Sequence, residues 1–293
     1  MTEALDGVLV VDKPAGPTSH DVVARLRKAL ATTRIGHTGT LDPMATGVLP
    51  LVVGRATRLS RFLSASEKEY RAEIRLGYST DTDDATGEPL GASAGNTGPV
   101  SLPSPDAIAE ALRSFVGVQT QEPPAYSAKK VGGVRSYARA RGGMAVRPAA
   151  VAVTVERLDL LAVDRDVVAV SLVCSAGFYV RSLARDLGAR LGTGAHLASL
   201  RRLRSGEFSE REAIPLEAIQ ADPGAAAAGF RQMDLLLTHL PYLSLTDEGV
   251  RRARSGQDMA AEGSAATRPY VRLVAVAEPS ARPGFLHPCI VLV

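Results

Sequence analysis

The sequence predicts an α+β fold, because strand-like and helix-like patterns both occur along its 293 residues. Residues 70–78 alternate apolar and charged side chains, which is typical of a half-buried strand. Between Thr18 and Leu30, apolar residues recur at the spacing of a helix. Hydrophobic content of 45% and charged content of 22% are ordinary for a globular protein. We therefore expect a core built from both kinds of element.

The first third of the chain predicts alternating short elements. Residues 7–12 form an apolar run that predicts a buried strand. Thr18, followed three residues later by Asp21, has the spacing of a capping box and predicts the start of a helix. Residues 48–53 then predict a strand, and residues 56–63 a short helix.

Further along the chain, the predicted elements are separated by polar or glycine-rich stretches. The predictions are a loop over 79–104, a helix over 105–116, strands over 151–162 and 167–174, and a helix over 179–191. Residues 119–148 are basic and glycine-bearing without a clean period, which is typical of a binding arm. The Ala/Gly-rich residues 221–229 are either a linker or the extension of a helix. Strand-like runs at 270–276 and 289–293 predict a small β-rich module at the C-terminus.

Apolar runs, the N-terminal pattern and the cysteines indicate the cellular compartment. The chain contains no run of about 18 apolar residues, so we expect no membrane span. Its N-terminus lacks the pattern of a signal peptide. Cys174 and Cys289 lie far apart and form neither a disulfide framework nor a metal-ligand motif. We therefore expect a reducing cytoplasm and no association with a membrane.

The clustering of arginines along the chain is a stronger indication of an anionic partner than the total charge is. The formal net charge is only +3, with a pI near 9.0. Arginines cluster at 135–147, 201–204 and 251–254, where they suit either phosphate contacts or a solvated surface. Aromatic residues make up only 4% of the chain, which argues against a broad platform for stacking single-stranded bases.

The loop over residues 36–50 concentrates glycine, proline and threonine around a single carboxylate, Asp42. Glycines let the backbone turn sharply and approach a ligand closely, and Pro43 keeps Asp42 out of helical geometry. Taken alone, Asp42 and Pro43 are consistent with a simple turn or with a presented catalytic carboxylate.

Together with four other segments, this loop resembles the tRNA pseudouridine synthase B family, bacterial enzymes that isomerise uridine 55 in the T loop of tRNA. The matching segments keep the order that they have in the family and cover residues 11–19, 36–47, 121–130, 177–181 and 194–204. The resemblance implies a pseudouridine synthase fold, a mixed and mainly antiparallel sheet flanked by helices. It also implies a catalytic domain over 1–235 with an RNA-binding arm at about 119–147, followed by a PUA-like RNA-binding domain over 240–293.

The resemblance assigns catalytic roles to three residues. Asp42 is the catalytic carboxylate, which acts as a nucleophile or removes a sugar proton. Arg181 is its ion-pair partner, which keeps the carboxylate ionised in a site closed to water. Tyr70, which periodicity alone would place in the core, becomes the ring that stacks on the flipped uracil and a candidate for handling the C5 proton.

Substrate-binding roles follow from the same resemblance. Tyr179 contacts the substrate, Leu200 lines the uracil pocket, and His37 occupies the gap left by flipped bases. Lys13 is expected to give general support or to contact backbone phosphates, as is the pair Arg201 and Arg202.

The reaction implied is an isomerisation without redox change, so we expect neither a cofactor nor a metal. The expected partner is tRNA, recognised at its T loop, because sequence-specific RNA recognition favours loops whose bases can be splayed out. We expect the protein to act as a monomer. Two alternatives stay open, a guide-RNA-dependent synthase and an RNA chaperone that assists tRNA folding.

Overall fold

The computed structural model of the chain describes residues 5–90, 102–127, 130–131, 134–135, 148–260 and 273–292. Its strands are β1 Gly7–Lys13, β2 Ile35–His37, β3 Thr46–Val53, β4 Lys68–Leu76, β5 Ser79–Thr80, β6 Pro89–Leu90, β7 Gly117–Gln121, β8 Lys130–Val131, β9 Val134–Arg135, β10 Val151–Asp164, β11 Val167–Cys174, β12 Ala195–Ser205, β13 Phe208–Ser209, β14 Ile214–Pro215, β15 Phe230–Gln232, β16 Met259–Ala260, β17 Ala275–Pro279 and β18 Phe285–Val291. Its α-helices are α1 Ser19–Ala29, α2 Ser60–Ser64, α3 Pro105–Arg113, α4 Val180–Leu191, α5 Leu216–Ala221 and α6 Asp247–Arg254.

One mixed sheet organises the molecule. Among the described residues it has eleven strands, with the main path β14-β1-β3-β12-β4-β11-β10-β7 and with β13, β15 and β2 paired alongside. Within this sheet β1–β14 and β3–β12 are parallel pairs, and the other pairs are antiparallel. The α+β class and the mixed, mainly antiparallel sheet predicted from the sequence are confirmed.

Both faces of the sheet are covered, as β1 illustrates. Leu9 and Val11 pack into one hydrophobic cluster, whereas Val8 and Val10 pack into the other. Because successive side chains of a strand point to opposite faces, a strand buried on both sides is a continuous apolar run. Helices α1, α3 and α4 contribute to the first cluster, and α2 with the C-terminal strands contributes to the second.

Several predicted boundaries hold. Helix α1 begins after Thr18, and the capping box with Asp21 is present. The alternating strand runs from Lys68 to Leu76 instead of 70–78, with Tyr70, Ala72, Ile74 and Leu76 buried on one face as expected. The strands at 151–162 and 167–174 and the helix at 179–191 are also present, with small shifts at their ends.

Other predictions were wrong. The helix at 56–63 is divided into a 3₁₀ helix, Gly54–Leu59, and α2. The loop at 79–104 contains the hairpin β5–β6, and 91–101 lie outside the described residues. The binding arm over 119–148 stays a prediction, because only its first residues are seen in strand β7 and most of its remainder lies outside the described residues.

The C-terminal residues form a small three-stranded sheet in the order β16-β18-β17. Ile290 and Leu292 belong to the same hydrophobic cluster as Leu59 and Leu63, and Arg55 donates to the Leu292 carbonyl at 3.0 Å. Residues 261–272, which include the start of the strand-like run at 270–276, lie outside the described residues. The division at 235–240 stays a prediction.

Residues 221–229 are not an extended linker. Pro223–Gly229 form a 3₁₀ helix in which Ala226 and Gly229 are buried. A Cβ at Gly229 would lie 3.1 Å from the Val10 carbonyl oxygen, so the segment packs directly on β1. No helix in the described part of the chain is long and apolar enough to cross a membrane.

Candidate active site

The Asp42 loop connects β2 to β3 and is held by backbone contacts on both sides. Gly16 donates its N–H to the Pro43 carbonyl at 2.8 Å. The Ser19 hydroxyl donates to the Leu41 carbonyl at 3.1 Å and accepts from the Leu41 N–H at 2.9 Å. Because Ser19 is fully buried, this pair of bonds fixes the residue next to Asp42 without competition from water.

Lys13 lies beneath this loop and has no exposed surface. Its ammonium group donates to the carbonyls of Pro14, Pro43 and Ala45 at 2.8, 3.2 and 2.7 Å. Burial lowers the pKa of Lys13 to about 8, although the charge of Asp42 acts in the opposite direction. These contacts favour the supporting role of Lys13 over contact with an RNA phosphate.

Arg202 supports the loop from the opposite side, in strand β12. It is 1% exposed, and it donates to the Val48 carbonyl at 2.7 Å and to the Gly39 carbonyl at 3.1 Å. Its burial argues against the phosphate contact considered from the sequence and favours support. Arg201, on the other face of the strand, pairs with Asp12 at 2.9 Å and Glu210 at 3.3 Å.

Gly47 allows β12 to approach the loop this closely. It has a φ of +98°, and an added Cβ would lie 2.2 Å from the Arg202 carbonyl oxygen. Both the conformation and the contact therefore require glycine here.

Asp42 and Arg181 form a two-pronged ion pair, although 139 residues separate them. The Arg181 Nε donates to Oδ2 at 2.9 Å and Nη2 donates to Oδ1 at 3.0 Å. The side chain of Arg181 is 5% exposed and that of Asp42 is 30% exposed. Arg181 thus binds both oxygens of the carboxylate, which nevertheless remains partly exposed.

Arg181 is itself fixed by groups other than Asp42. It donates to the Thr82 carbonyl at 3.1 Å and to the Tyr126 carbonyl at 2.8 Å. The Asp84 carboxylate lies 3.6 Å away, and it also accepts from Thr82 and Thr86. Sequence reasoning missed Asp84, and the only signal for it was an aspartate-rich turn inside a stretch predicted as a loop.

Asp42 opens into a cavity of about 380 Å³. Six of the residues predicted for the site line this cavity, namely His37, Asp42, Tyr70, Tyr179, Arg181 and Leu200. Arg202 also lines the cavity, whereas Arg201 does not and Lys13 lies below the loop. The structure therefore brings together residues from β2, β4, β12, the Asp42 loop and the start of α4.

The two tyrosines lie on different walls of the cavity. Tyr70 is paired with Leu172 and Arg202 on neighbouring strands, and burial raises the pKa of its hydroxyl. Tyr179 precedes α4, and burial raises its pKa as well. The Gln121 side chain accepts from the Tyr179 N–H at 2.8 Å and donates to its carbonyl at 3.1 Å. Gln121 is a second positioning residue that sequence reasoning missed.

His37 lies at the end of β2, where its ring contacts the edge of His20 at a centroid distance of 5.3 Å. Its neighbours in β2, Ile35 and Gly36, line a separate groove of about 690 Å³. Four arginines also line that groove, namely Arg27, Arg34, Arg55 and Arg58. Strand β2 thus joins the active-site cavity to a cationic surface.

Lys68 is a further cavity residue that sequence reasoning missed. It is 6% exposed and lies two residues before Tyr70, on the same face of β4. Its ammonium group donates to the Ser64 carbonyl at 2.7 Å and to the Ser66 carbonyl. Burial lowers the pKa of Lys68 to about 8, so it is mainly protonated at neutral pH.

One carboxylate, Asp42, lines the cavity together with three cationic side chains, Lys68, Arg181 and Arg202. Such a site suits a reaction in which a fixed carboxylate acts on a bound group that carries or develops negative charge. In the described part of the chain, no three His, Cys, Asp or Glu side chains are grouped to hold a metal ion.

Two family models match the chain. The model described as the N-terminal domain of TruB family pseudouridylate synthases matches residues 27–180. The model described as the tRNA pseudouridylate synthase B C-terminal domain matches residues 181–236. Together they contain every predicted site residue except Lys13, and neither extends into the C-terminal sheet.

Curated proteins named tRNA pseudouridine synthase B are similar to this chain over most of its length. A tRNA pseudouridine synthase B of Solibacter usitatus is 43% identical over 98% of this chain and 100% of its own length. Its namesake in Nocardia farcinica is 51% identical over 75% of this chain and 72% of its own length.

Solved structures give the same fold. The chain is similar to one in a Cbf5–Nop10–Gar1 complex, with a TM-score of 0.67 and 31% identity, over 88% of this chain and 70% of that one. It is also similar to a chain of an H/ACA RNP bound to a substrate RNA containing 2′-deoxyuridine. There the TM-score is 0.71 and the identity 26%, over 99% of this chain and 86% of the other.

Proposed function

Because the chain belongs to the TruB family of pseudouridylate synthases, isomerases that act on RNA, we propose that it converts uridine 55 of the tRNA T loop to pseudouridine, with Asp42 as the catalytic residue. The observation that carries this proposal is the Asp42 carboxylate, bound on both oxygens by Arg181 yet open to the cavity. In this reaction the C1′–N1 bond of the nucleotide breaks, the uracil turns within the site, and C5 bonds to C1′.

Asp42 serves the first step in one of two ways. It either attacks as a nucleophile or removes a sugar proton, and each role requires an ionised carboxylate. Arg181 orients the carboxylate for either role, because its guanidinium fork matches the two carboxylate oxygens. The Thr82 and Tyr126 carbonyls accept two further hydrogen bonds from the guanidinium group and so restrict its orientation.

The target uridine reaches Asp42 by leaving the base stack. A cavity of about 380 Å³ is within the range of about 300–1,000 Å³ for small-ligand sites and can accept one base. In our proposal Tyr70 stacks on the uracil, Leu200 and Tyr179 border it, and His37 packs where the flipped bases were. Residues 119–147 form the arm that closes on the T loop, and 240–293 form the PUA-like RNA-binding domain.

The test combines product mapping with one isosteric variant. Purified protein is incubated with an unmodified tRNA transcript, and pseudouridine is located by mass spectrometry while tritium release from 5-tritiated uridine is followed. We expect one modified position, uridine 55, and no release with Asp42→Asn, although that variant still binds tRNA. Asp106→Asn, an exposed aspartate at the start of α3, is the matched control and should release tritium at the wild-type rate.

The results separate this function from the alternatives. Pseudouridine formed by Asp42→Asn would exclude Asp42 as the catalytic group. Modification that requires an added guide RNA would instead favour the guided synthases, a possibility raised by the likeness to Cbf5 complexes. Refolding of tRNA by wild type without modification would favour an RNA chaperone.

A further inference from the structure

Lys68 is a buried cation of the cavity that, within the described residues, retains an N–H donor for a ligand. Arg181 donates hydrogen bonds to Asp42 and to two backbone carbonyls. Arg202 donates to the carbonyls of Val48 and Gly39. Lys68 donates to the carbonyls of Ser64 and Ser66, and among the described residues no acceptor takes its third N–H. A buried ammonium group with a remaining donor therefore lines the same cavity as Asp42.

Among the described residues, no carboxylate forms an ion pair with the Lys68 ammonium group. On the neighbouring strands it is paired with Cys174 of β11 and Ser205 of β12. Burial raises the pKa of the Cys174 thiol to about 12, so the thiol is neutral at pH 7. The charge of Arg202 repels the ammonium and also lowers its pKa. An added Cβ at Gly39, on the Asp42 loop, would lie 3.9 Å from Cε of Lys68.

The reaction creates a charge that matches this site. When the C1′–N1 bond breaks, its electron pair moves onto the uracil ring and spreads over N1 and the carbonyl oxygens. The carboxylate of Asp42 disfavours a second negative charge nearby, so a cation on the uracil side would lower the barrier. Lys68 shares the β4 face with Tyr70, the residue proposed to stack on that ring.

We propose that Lys68 is a further catalytic residue, whose ammonium group hydrogen-bonds the detached uracil and stabilises its negative charge while the ring turns. This inference rests on the proposed function. The step balances, because C5 forms the new bond to C1′ and loses its proton, while N1 gains one. Lys68 remains an ammonium ion throughout.

Three variants test this role. In single-turnover reactions at pH 7, we expect Lys68→Met to form pseudouridine about 100-fold more slowly, as when one oxyanion donor is removed. Its affinity for tRNA should stay within about threefold of wild type. Lys68→Arg should keep most of the rate. Lys28→Met, at an exposed lysine of α1, is the matched control with wild-type activity.

The pH profile distinguishes a catalytic role of Lys68 from a purely structural role in which it only supports α2. The wild-type rate should fall as the pH rises through about 8, because the ammonium then loses its proton. Burial also lowers the pKa of Lys13 to about 8, so both profiles are measured in a Lys13→Arg background. Arginine stays charged over this range, so Lys68→Arg should keep its rate to a higher pH there. If Lys68→Met unfolds, this comparison alone decides the question.

Two results would overturn the inference. One is a Lys68→Met enzyme that keeps more than a third of the wild-type rate. The other is a Lys68→Arg profile that falls at the same pH as wild type. Wild type and Asp42→Asn are assayed in parallel, so an active wild type and an inactive Asp42→Asn uphold the proposed function whatever Lys68 does.

Discussion

At the scale of single residues, the site depends on how one carboxylate is held. Arg181 satisfies both oxygens of Asp42 and is fixed in turn by Thr82, Tyr126 and Asp84. A planar fork with five N–H donors can make all of these contacts at once, whereas an ammonium group cannot. The identity of Arg181, and not only its charge, therefore positions the carboxylate.

Arg181→Lys should lower the single-turnover rate of pseudouridine formation by about 10- to 100-fold, since one charged hydrogen bond contributes about 1.5–3 kcal/mol. Binding of tRNA should change little, because Arg181 is only 5% exposed. Rates and affinities are measured on the same tRNA transcript. Arg190→Lys, in the last turn of α4, is the control that should match wild type. A wild-type rate for Arg181→Lys would refute the argument from fork geometry.

The sequence could identify some site residues but not those that act through them. Asp42 stood out because glycines and prolines surround it, and Arg181 and Tyr70 followed from the family resemblance. Lys68 lies outside the segments that carry the resemblance, and Gln121 begins one of them without a role assigned to it. Their roles arise from strand pairing and from contacts such as the one between Gln121 and Tyr179, 58 residues later in the chain.

At the scale of elements, the contact between β3 and β12 sets the position of the loop. This parallel pair is short, with Thr46 opposite Arg201 and Gly47 opposite Arg202. Strand β12 lies in the middle of the sheet, yet the sequence did not predict it. Its arginines obscure the alternation of apolar residues, and register shifts at 197/199 and 202/204 break the period of two.

Gly47→Ala tests that contact. The new methyl group would meet the Arg202 carbonyl at 2.2 Å, and φ of +98° is strained for alanine. We expect the free energy of unfolding in urea to fall by about 3 kcal/mol or more, and activity to fall with it.

Gly117→Ala is the matched control for Gly47→Ala. Gly117 has a similar φ of +105° but open space around its Cβ position. Backbone strain alone should therefore cost it about 1–2 kcal/mol. Equal losses at the two glycines would mean that the close approach of β12 contributes nothing.

At the scale of the whole molecule, charge is organised around the cavity and the adjoining groove. Three of the groove arginines, Arg27, Arg55 and Arg58, donate to backbone carbonyls, which orient them without neutralising them. Asp6 is an acidic partner of Arg55. Since β2 connects this groove with His37, an RNA bound at Asp42 can continue along it.

Replacing Arg34 and Arg58 with alanine should therefore weaken tRNA binding. The slope of log Kd against log salt concentration should decrease by about 1 for each phosphate that the variant no longer binds. The rate at saturating tRNA should be kept, because neither residue lines the cavity. Exposed arginines elsewhere, Arg113 and Arg251, serve as the double-alanine control. An unchanged salt slope would show that the groove does not contact RNA.

The parallel contact of β12 with the Asp42 loop also bears on when the enzyme becomes competent during its synthesis. Asp42 is translated early, but its ion-pair partner follows 139 residues later, and Arg202 follows 163 residues after the Gly39 that it holds. Contacts of such high sequence separation form slowly, because a long stretch of chain must first be closed into a loop. A nascent chain on the ribosome therefore carries Asp42 in an incomplete cavity until β12 has emerged.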